Sequence, residues 1–129
     1  MIYLDSSVLI AQLLAEDRRP PPELWSQSLT SSRLLEYEVW TRVHARGIGR
    51  RLGETVRLLL ARLSMLELER PVLTRALEPM PLPVRTLDAI HLASADFLRG
   101  QGQEVMIATY DARMGKAARA MELELYPLE

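Results

Sequence analysis

Cysteine is absent from the sequence, and so are long apolar runs. Without thiols, the chain cannot form disulfides, thiolate metal sites or a cysteine nucleophile. No apolar run approaches the roughly 18 residues that a membrane-spanning helix needs. The first residues also lack the basic flank and the cleavage site of a signal peptide. These absences predict a soluble, cytoplasmic domain that makes no use of a membrane.

Lysine is almost absent, since Lys116 is the only lysine among 16 basic residues and the others are arginine. Arginine presents a planar fork that matches phosphate geometry, which suits a nucleic-acid ligand. The formal net charge is only −1, which argues against broad electrostatic capture of nucleic acid. The composition therefore allows a basic rim around an acidic centre.

Length and apolar content predict a single domain. The chain has 129 residues, of which 48% are hydrophobic, enough to bury a substantial core. No repeat, low-complexity segment or linker divides it, so we expect residues 1–129 to fold as one unit.

Predicted strands and helices alternate along the chain. Strands are predicted at MIYL, LTSS, SMLELE, EVMIATYD and ELYPL. Helices are predicted at SSVLIAQLLAE, ELWSQS, RLLEYEVWTRVHAR, GETVRLLLAR, RPVLTRALEP, TLDAIHLASADFLRGQG and ARMGKAARAMEL. In this pattern one helix begins at Gly53, Thr86 caps the longest helix, and Gly100 ends it. The alternation predicts an α/β fold, with a mostly parallel central sheet flanked by helices on both faces.

Carboxylates follow several of the predicted strands. Asp5 directly follows the first strand, Asp111 follows VMIATY, and Asp88 lies in the first turn of the longest helix. A glutamate, either Glu36 or Glu38, follows LTSS at the start of its helix. In open α/β sheets, functional groups gather beyond the carboxyl ends of the strands, so we expect these acids at one edge.

Helix capping is the alternative explanation for each aspartate, since aspartate is a favoured N-cap and stabilises a first turn. Four acids at one edge would nevertheless repel each other unless a cation lies among them. Oxygen ligands without cysteine favour Mg²⁺ or Mn²⁺ over Zn²⁺. Two such ions can hold both the attacking and the leaving oxygen of a phosphodiester.

Four stretches of the chain resemble the PIN-domain ribonucleases, and specifically the VapC-type toxins of bacterial toxin–antitoxin pairs. The stretches are YLDSSVLI, SSRLLEYEVWTR, TLDAIHLASA and IATYDARMGKAA, in that order. The resemblance covers essentially the whole chain and implies a PIN-like three-layer sandwich. It also implies an endoribonuclease that uses Mg²⁺ or Mn²⁺ and a metal-activated water, an antitoxin partner and a homodimer.

The resemblance also implies which residues form the acidic site. The family's glutamate lies six residues after the serine of this motif, here Ser32, which selects Glu38 over Glu36. In similar proteins a hydroxyl beside the site hydrogen-bonds an acid or a metal-bound water, and the matching positions here are Ser6 and Thr109. Helix capping by Ser6 and strand burial of Thr109 are the alternative explanations. The family's four acids fall on Asp5, Glu38, Asp88 and Asp111.

Other polar residues receive separate interpretations. His91 lies three residues after Asp88 on the same helix face, where a packed, hydrogen-bonded histidine is favoured over a metal ligand. Asp96 lies two turns beyond Asp88, too far to share its metal. His44 lies in a basic cluster with Arg42, Arg46, Arg50 and Arg51, which is a candidate to contact RNA phosphates. An exposed, solvated basic face is the alternative explanation. The residues chosen as RNA contacts are Arg46, Arg50 and Arg51.

Two other functions share some of these features. A receiver-type phosphoacceptor domain has a similar length and sheet, but it needs adjacent acids after the first strand, where Ser6 and Ser7 stand. A PIN-like domain that binds RNA without cutting it would share the whole pattern, although the presence of all four acids argues against it. The dimer interface is expected on the apolar helices after Gly53.

Overall fold

The computed structural model describes residues 1–14 and 17–128. These residues form five β-strands, six α-helices and one 3-10 helix at Pro22–Ser26. The strands are β1 (Ile2–Leu4), β2 (Leu29–Ser32), β3 (Ser64–Leu66), β4 (Met106–Ala108) and β5 (Glu124–Leu125). The helices are α1 (Ser6–Leu14), α2 (Arg33–Ala45), α3 (Gly49–Leu60), α4 (Arg70–Leu77), α5 (Thr86–Gly100) and α6 (Ala112–Ala120).

All strand pairs in the sheet are parallel, in the order β3-β2-β1-β4-β5. The chain builds one side of the sheet from β1 to β3 and then crosses to add β4 and β5 on the other side. The order therefore reverses between β1 and β4. A crevice forms at such a reversal beyond the carboxyl ends of the strands, because the flanking loops diverge there.

Side chains of the central strands alternate between two cores. Leu4 joins an apolar cluster with helices α1, α2 and α3, whereas Tyr3 joins a second cluster with α5 and α6. Successive residues of a strand point to opposite faces of the sheet. Since residues on both faces are buried here, helices must cover both faces. The result is the predicted three-layer α/β sandwich.

Strand β2 is polar yet fully buried, and each of its hydroxyls has a partner. Thr30 donates to the carbonyl of Ser64, and Ser31 donates to the carbonyl of Leu4. The Ser32 hydroxyl accepts from the Leu34 amide and so caps α2. Buried polar groups are tolerated when they are hydrogen-bonded, which explains how LTSS can form an interior strand of the sheet.

Two predicted helix starts differ from the structure. Helix α3 begins at Gly49 rather than Gly53, with Ile48 at its N-cap position. Gly47, just before it, has a positive φ of 66° and follows the end of α2. Gly53 lies inside α3 and packs near Trp40. Helix α5 has Arg85 rather than Thr86 at its N-cap position, so Thr86 is its first helical residue.

Most other boundaries agree with the sequence prediction to within a few residues. Strands β3, β4 and β5 are shorter than predicted, with three, three and two residues. The predicted extension of α1 to Ala15 and Glu16 lies outside the described residues. No helix in the described ranges is long and apolar enough to span a bilayer.

Candidate functional site

A cavity of about 530 Å³ lies at the carboxyl edge of the sheet, where the strand order reverses. Five acidic side chains line it, of which Asp17 is exposed and is not among the predicted acids. The other four come from separate parts of the chain. These residues are Asp5, Glu38, Asp88 and Asp111. Asp5 and Asp111 follow β1 and β4, Glu38 lies in the helix after β2, and Asp88 lies at the start of α5. Because the strands are parallel, their carboxyl ends lie at one edge of the sheet.

Asp5 lies at the inner end of the cavity and is only 5% exposed. One carboxylate oxygen accepts from both the amide and the hydroxyl of Ser7, and the other accepts from the Thr109 hydroxyl at 2.6 Å. Burial raises the pKa of the Asp5 carboxyl, although these hydrogen bonds oppose the rise. Both oxygens are thus held in place at a site that favours a nearby cation.

The hydroxyl groups beside Asp5 differ in part from the prediction. Thr109 contacts Asp5 directly, whereas Ser6 lines the cavity and Ser7 supplies the hydroxyl that binds the carboxylate. The Ser7 hydroxyl also accepts from the Tyr110 amide at 2.9 Å. Ser7 therefore joins the start of α1 to the segment after β4, which carries Asp111.

Glu38 extends into the cavity from the second turn of α2, and its side chain is 19% exposed. Its carboxylate lies 2.6 Å from Nε2 of His91. A carboxylate accepts, so Nε2 is the donor, and the other ring nitrogen, Nδ1, lies 2.8 Å from the Tyr3 hydroxyl. Burial raises the pKa of Tyr3 to about 12, which keeps that hydroxyl protonated.

This chain of hydrogen bonds distinguishes the two candidate glutamates. Glu36 points to solvent with a side chain 40% exposed and pairs with Arg33. Glu38 is the glutamate that lines the cavity. His91 is packed and hydrogen-bonded, as predicted, and its partner is one of the four acids.

Asp88 and Asp111 lie at the outer part of the cavity and share a cation from the chain itself. Arg85 donates to Asp88 at 3.3 Å and to Asp111 at 3.2 Å, while its own side chain is 68% exposed. Asp111 is also the N-cap of α6, where its second oxygen accepts from the amides of Arg113 and Met114. Capping and membership of the acidic cavity are therefore compatible for Asp111.

Three of the four acids pair with side chains of the chain itself: Glu38 accepts a hydrogen bond from His91, and Asp88 and Asp111 form ion pairs with Arg85. Consistent with this, no three histidine, aspartate or glutamate side chains of the described ranges are grouped closely enough to hold a metal ion as they stand. The donor chemistry nevertheless fits Mg²⁺ or Mn²⁺, because it consists of carboxylate oxygens around one cavity. Arg85 shows that two of these acids already attract a cation.

Three arginines line the same cavity: Arg18, Arg42 and Arg85. Arg42 belongs to the predicted basic cluster near His44, whereas Arg18 and Arg85 are not among the predicted residues. The other predicted basic residues lie elsewhere. Arg46 follows the end of α2, and Arg50 and Arg51 lie in the first turn of α3, where all three are exposed. Basic side chains therefore occur both at the wall of the acidic cavity and, farther from the acids, at the α2–α3 junction.

Asp96 lies outside the cavity, as predicted. Its carboxylate pairs with Arg75 and Arg99, both at 2.6 Å. Burial opposes its ionisation, but the hydrogen bonds and charges of the two arginines outweigh that effect and hold the pKa of Asp96 below its usual value. Asp96 is a structural acid on the same helix as Asp88.

The sequence of the chain is similar to those of known proteins over most of its length. A family model for the PIN domain matches residues 2–120. The chain is 34% identical over 124 residues to Ribonuclease VapC46 of Mycobacterium tuberculosis, covering 93% of this chain and 92% of that protein. It is 32% identical over 129 residues to Ribonuclease VapC35 of the same species, covering 95% and 93%.

Solved structures with the same fold are more distant in sequence. VapBC2 from Rickettsia felis, bound to a DNA fragment from its promoter, superposes with a TM-score of 0.73 at 16% identity, covering 98% of both chains. A toxin–antitoxin complex from Klebsiella pneumoniae has a TM-score of 0.65 at 20% identity, covering 88% of both chains. At these identities the structural likeness shows the fold.

Proposed function

The chain belongs to the PIN-domain family, and from this premise we propose that it is a metal-dependent endoribonuclease, the toxin of a toxin–antitoxin pair. The observation that carries the proposal is the cavity where four carboxylates from separate segments meet at the reversal of strand order. The similarity to two ribonucleases over most of the chain supports RNA as the substrate. Family membership removes the receiver-domain alternative.

A divalent cation, Mg²⁺ or Mn²⁺, would be held by the four acids of the cavity: Asp5, Glu38, Asp88 and Asp111. When bound, such an ion activates water for attack on phosphorus and neutralises the charge that develops on the leaving 3′-oxygen. Asp5 favours a cation most strongly, because its buried carboxylate is held by hydroxyl and amide groups that carry no charge.

The remaining groups of the cavity position the acids and the substrate. Ser7 and Thr109 fix the two oxygens of Asp5, and His91 fixes Glu38. These contacts keep the carboxylates from rotating away, which preserves the geometry that a metal site needs. Arg18 and Arg42 at the cavity wall supply positive charge for the phosphates of an RNA strand.

Arg85 is expected to change partners during the reaction. Its guanidinium would give up Asp88 and Asp111 to a divalent cation held there, because its exposed ion pairs contribute little binding energy. Once released, the long and exposed side chain remains at the mouth of the cavity and can contact a substrate phosphate. The same arginine would thus neutralise the acids at rest and bind RNA in the loaded enzyme.

Two kinds of protein partner belong to the proposal. An antitoxin segment would cover the acidic cavity, as in the toxins that the sequence resembles. A homodimer would use the apolar face of α3, where Leu58 is 62% exposed. We also retain the exposed side chains Arg46, Arg50 and Arg51 as proposed RNA contacts at the α2–α3 junction.

Cleavage of RNA by the purified chain tests the function. With Mg²⁺ or Mn²⁺, the protein should cut single-stranded RNA internally, and excess EDTA should stop the reaction because the carboxylates then lose their cation. Activity should return when Mn²⁺ is added back. RNA that is bound but never cut would favour a catalytically silent RNA-binding domain, and cleavage that persists in EDTA would exclude the metal mechanism.

A further inference from the structure

A second cavity, of about 610 Å³, adjoins the acidic one. Arg18, Tyr110 and Asp111 line both cavities, so the two are continuous around the segment after β4. The second cavity continues from there between α6 and the C-terminal residues 125–128. An extended ligand that lies over the four acids therefore has a path into it.

One wall of the second cavity is basic. Every charged residue within α6 is positive, namely Arg113, Lys116 and Arg119, and the last two line the cavity. Neither Lys116 nor Arg119 forms an ion pair with any acid of residues 1–14 and 17–128. In a chain with a net charge of −1, this wall is a local concentration of unneutralised positive charge.

The opposite wall is apolar and aromatic. It consists of Leu125, Tyr126, Pro127 and Leu128. The backbone of this segment is fixed to the sheet, because the Tyr126 amide donates to the carbonyl of Ile107 at 2.8 Å. A cationic wall facing an apolar wall matches a nucleotide, which presents a charged phosphate on one side and a flat base on the other.

Arg18 lies where the two cavities join. Its guanidinium is 5.5 Å from the centre of the Tyr110 ring, and Nη1 donates to the Tyr110 carbonyl at 3.3 Å. The charge of Arg18 therefore lies between the four acids and the basic wall of α6. Phosphates of one strand could contact Arg18 and then the α6 side chains in succession.

We propose that the second cavity is a nucleotide-binding subsite for the RNA segment that flanks the bond to be cut. Phosphates of that segment contact Lys116 and Arg119, and a base packs against the 125–128 segment. This inference rests on the proposed ribonuclease function and assigns part of its substrate to a surface outside the four acids. It also predicts that these two α6 residues contribute more to RNA binding than the α2–α3 arginines do.

The test is binding of a fluorescently labelled single-stranded RNA in EDTA, measured at several salt concentrations for the full chain and its variants. Replacing both Lys116 and Arg119 with alanine should lower the slope of log affinity against log salt by about 1.4, since each single-strand phosphate contact contributes about 0.7. Affinity near 100 mM salt should fall roughly five- to twentyfold. The matched control is Arg113→Ala, which removes an exposed charge from the same helix outside the cavity.

The outcomes separate the subsite from the function on which it rests. If the unaltered chain neither binds RNA in EDTA nor cuts it with Mn²⁺, the proposed function fails. If it binds RNA but the double variant behaves like Arg113→Ala, the function stands and the subsite is overturned. A loss confined to a variant with Arg46, Arg50 and Arg51 all replaced by alanine would also overturn the subsite. So would a double variant that keeps RNA binding and loses only binding of an antitoxin.

Discussion

Replacing Asp88 with asparagine should reduce RNA cleavage by about two orders of magnitude or more while leaving the fold intact. The amide keeps the shape of the side chain but removes the negative charge that a divalent cation requires. Asp88 is not the N-cap of α5, a position that Arg85 occupies, so its side chain is not needed to begin the helix. The variant loses only an ion pair with a largely exposed arginine, worth about 1 kcal/mol or less.

The same helix provides a matched control in Asp96→Asn. Asp96 pairs with Arg75 and Arg99 away from the cavity, so its replacement should cost roughly 1–2 kcal/mol of stability without slowing cleavage. Because the pKa of Asp96 is lowered in the folded state, its contribution is present at neutral pH and is lost as pH falls through that pKa. The difference in melting temperature between wild type and Asp96→Asn should therefore shrink in acid.

The pair of variants gives opposite expected results. Asp88→Asn should melt near the wild-type temperature and fail to cut, whereas Asp96→Asn should melt earlier and still cut. Wild-type cleavage rates in Asp88→Asn would remove Asp88 from the site. Equal loss of cleavage in both variants would indicate a general effect of the helix rather than a specific one of Asp88.

Asp5→Asn should abolish the toxicity of the chain in a bacterial host. Expression of the unaltered chain without an antitoxin should slow growth, because uncontrolled cleavage of RNA stops protein synthesis. Asp5 is the most buried of the four acids, and an amide in its place cannot supply the charge that holds the ion. Growth of the variant should approach that of cells with an empty vector.

The toxicity comparison requires that wild type and Asp5→Asn reach the same protein level in the cell. We expect this because the substitution should not destabilise the fold. Burial raises the pKa of Asp5, so its charge destabilises the metal-free fold increasingly as pH rises through that pKa, and asparagine removes this cost. The amide oxygen can still accept from Ser7. Glu36→Gln, on the exposed face of α2, is the control that should remain toxic. Equal toxicity of Asp5→Asn and wild type would place the toxic activity elsewhere.

The sequence predicts the order of strands and helices, because periodicity and breakers are local properties of the chain. It also predicts which edge of the sheet carries Asp5 and Asp111, since parallel strands must end together. Residues that start helices were harder to predict. Gly53 resembles a helix start, but α3 begins earlier, at Gly49, and Gly53 is buried inside the helix beside Trp40, a tertiary contact that local pattern does not reveal.

Contacts between distant residues could not be read from local pattern. Tyr3 and His91 are 88 positions apart, and only the folded sheet brings them together to hold Glu38. A signal was present, since both are polar-tipped residues within otherwise apolar stretches, and such residues need a partner when buried. Arg85 carried no comparable signal, because an exposed arginine before a helix is common on protein surfaces.

Calorimetric titration of the purified chain with Mn²⁺ tests the central claim most directly, because it measures the ion at the acids without any RNA. The account predicts saturable binding to wild type that weakens roughly tenfold or more when any one of the four acids is replaced by its amide. Glu36→Gln should bind within about twofold of wild type, and Arg85→Ala should bind up to about fivefold more tightly, since a competing cation is gone. Absence of Mn²⁺ binding to wild type, or unchanged binding in all four amide variants, would contradict the account.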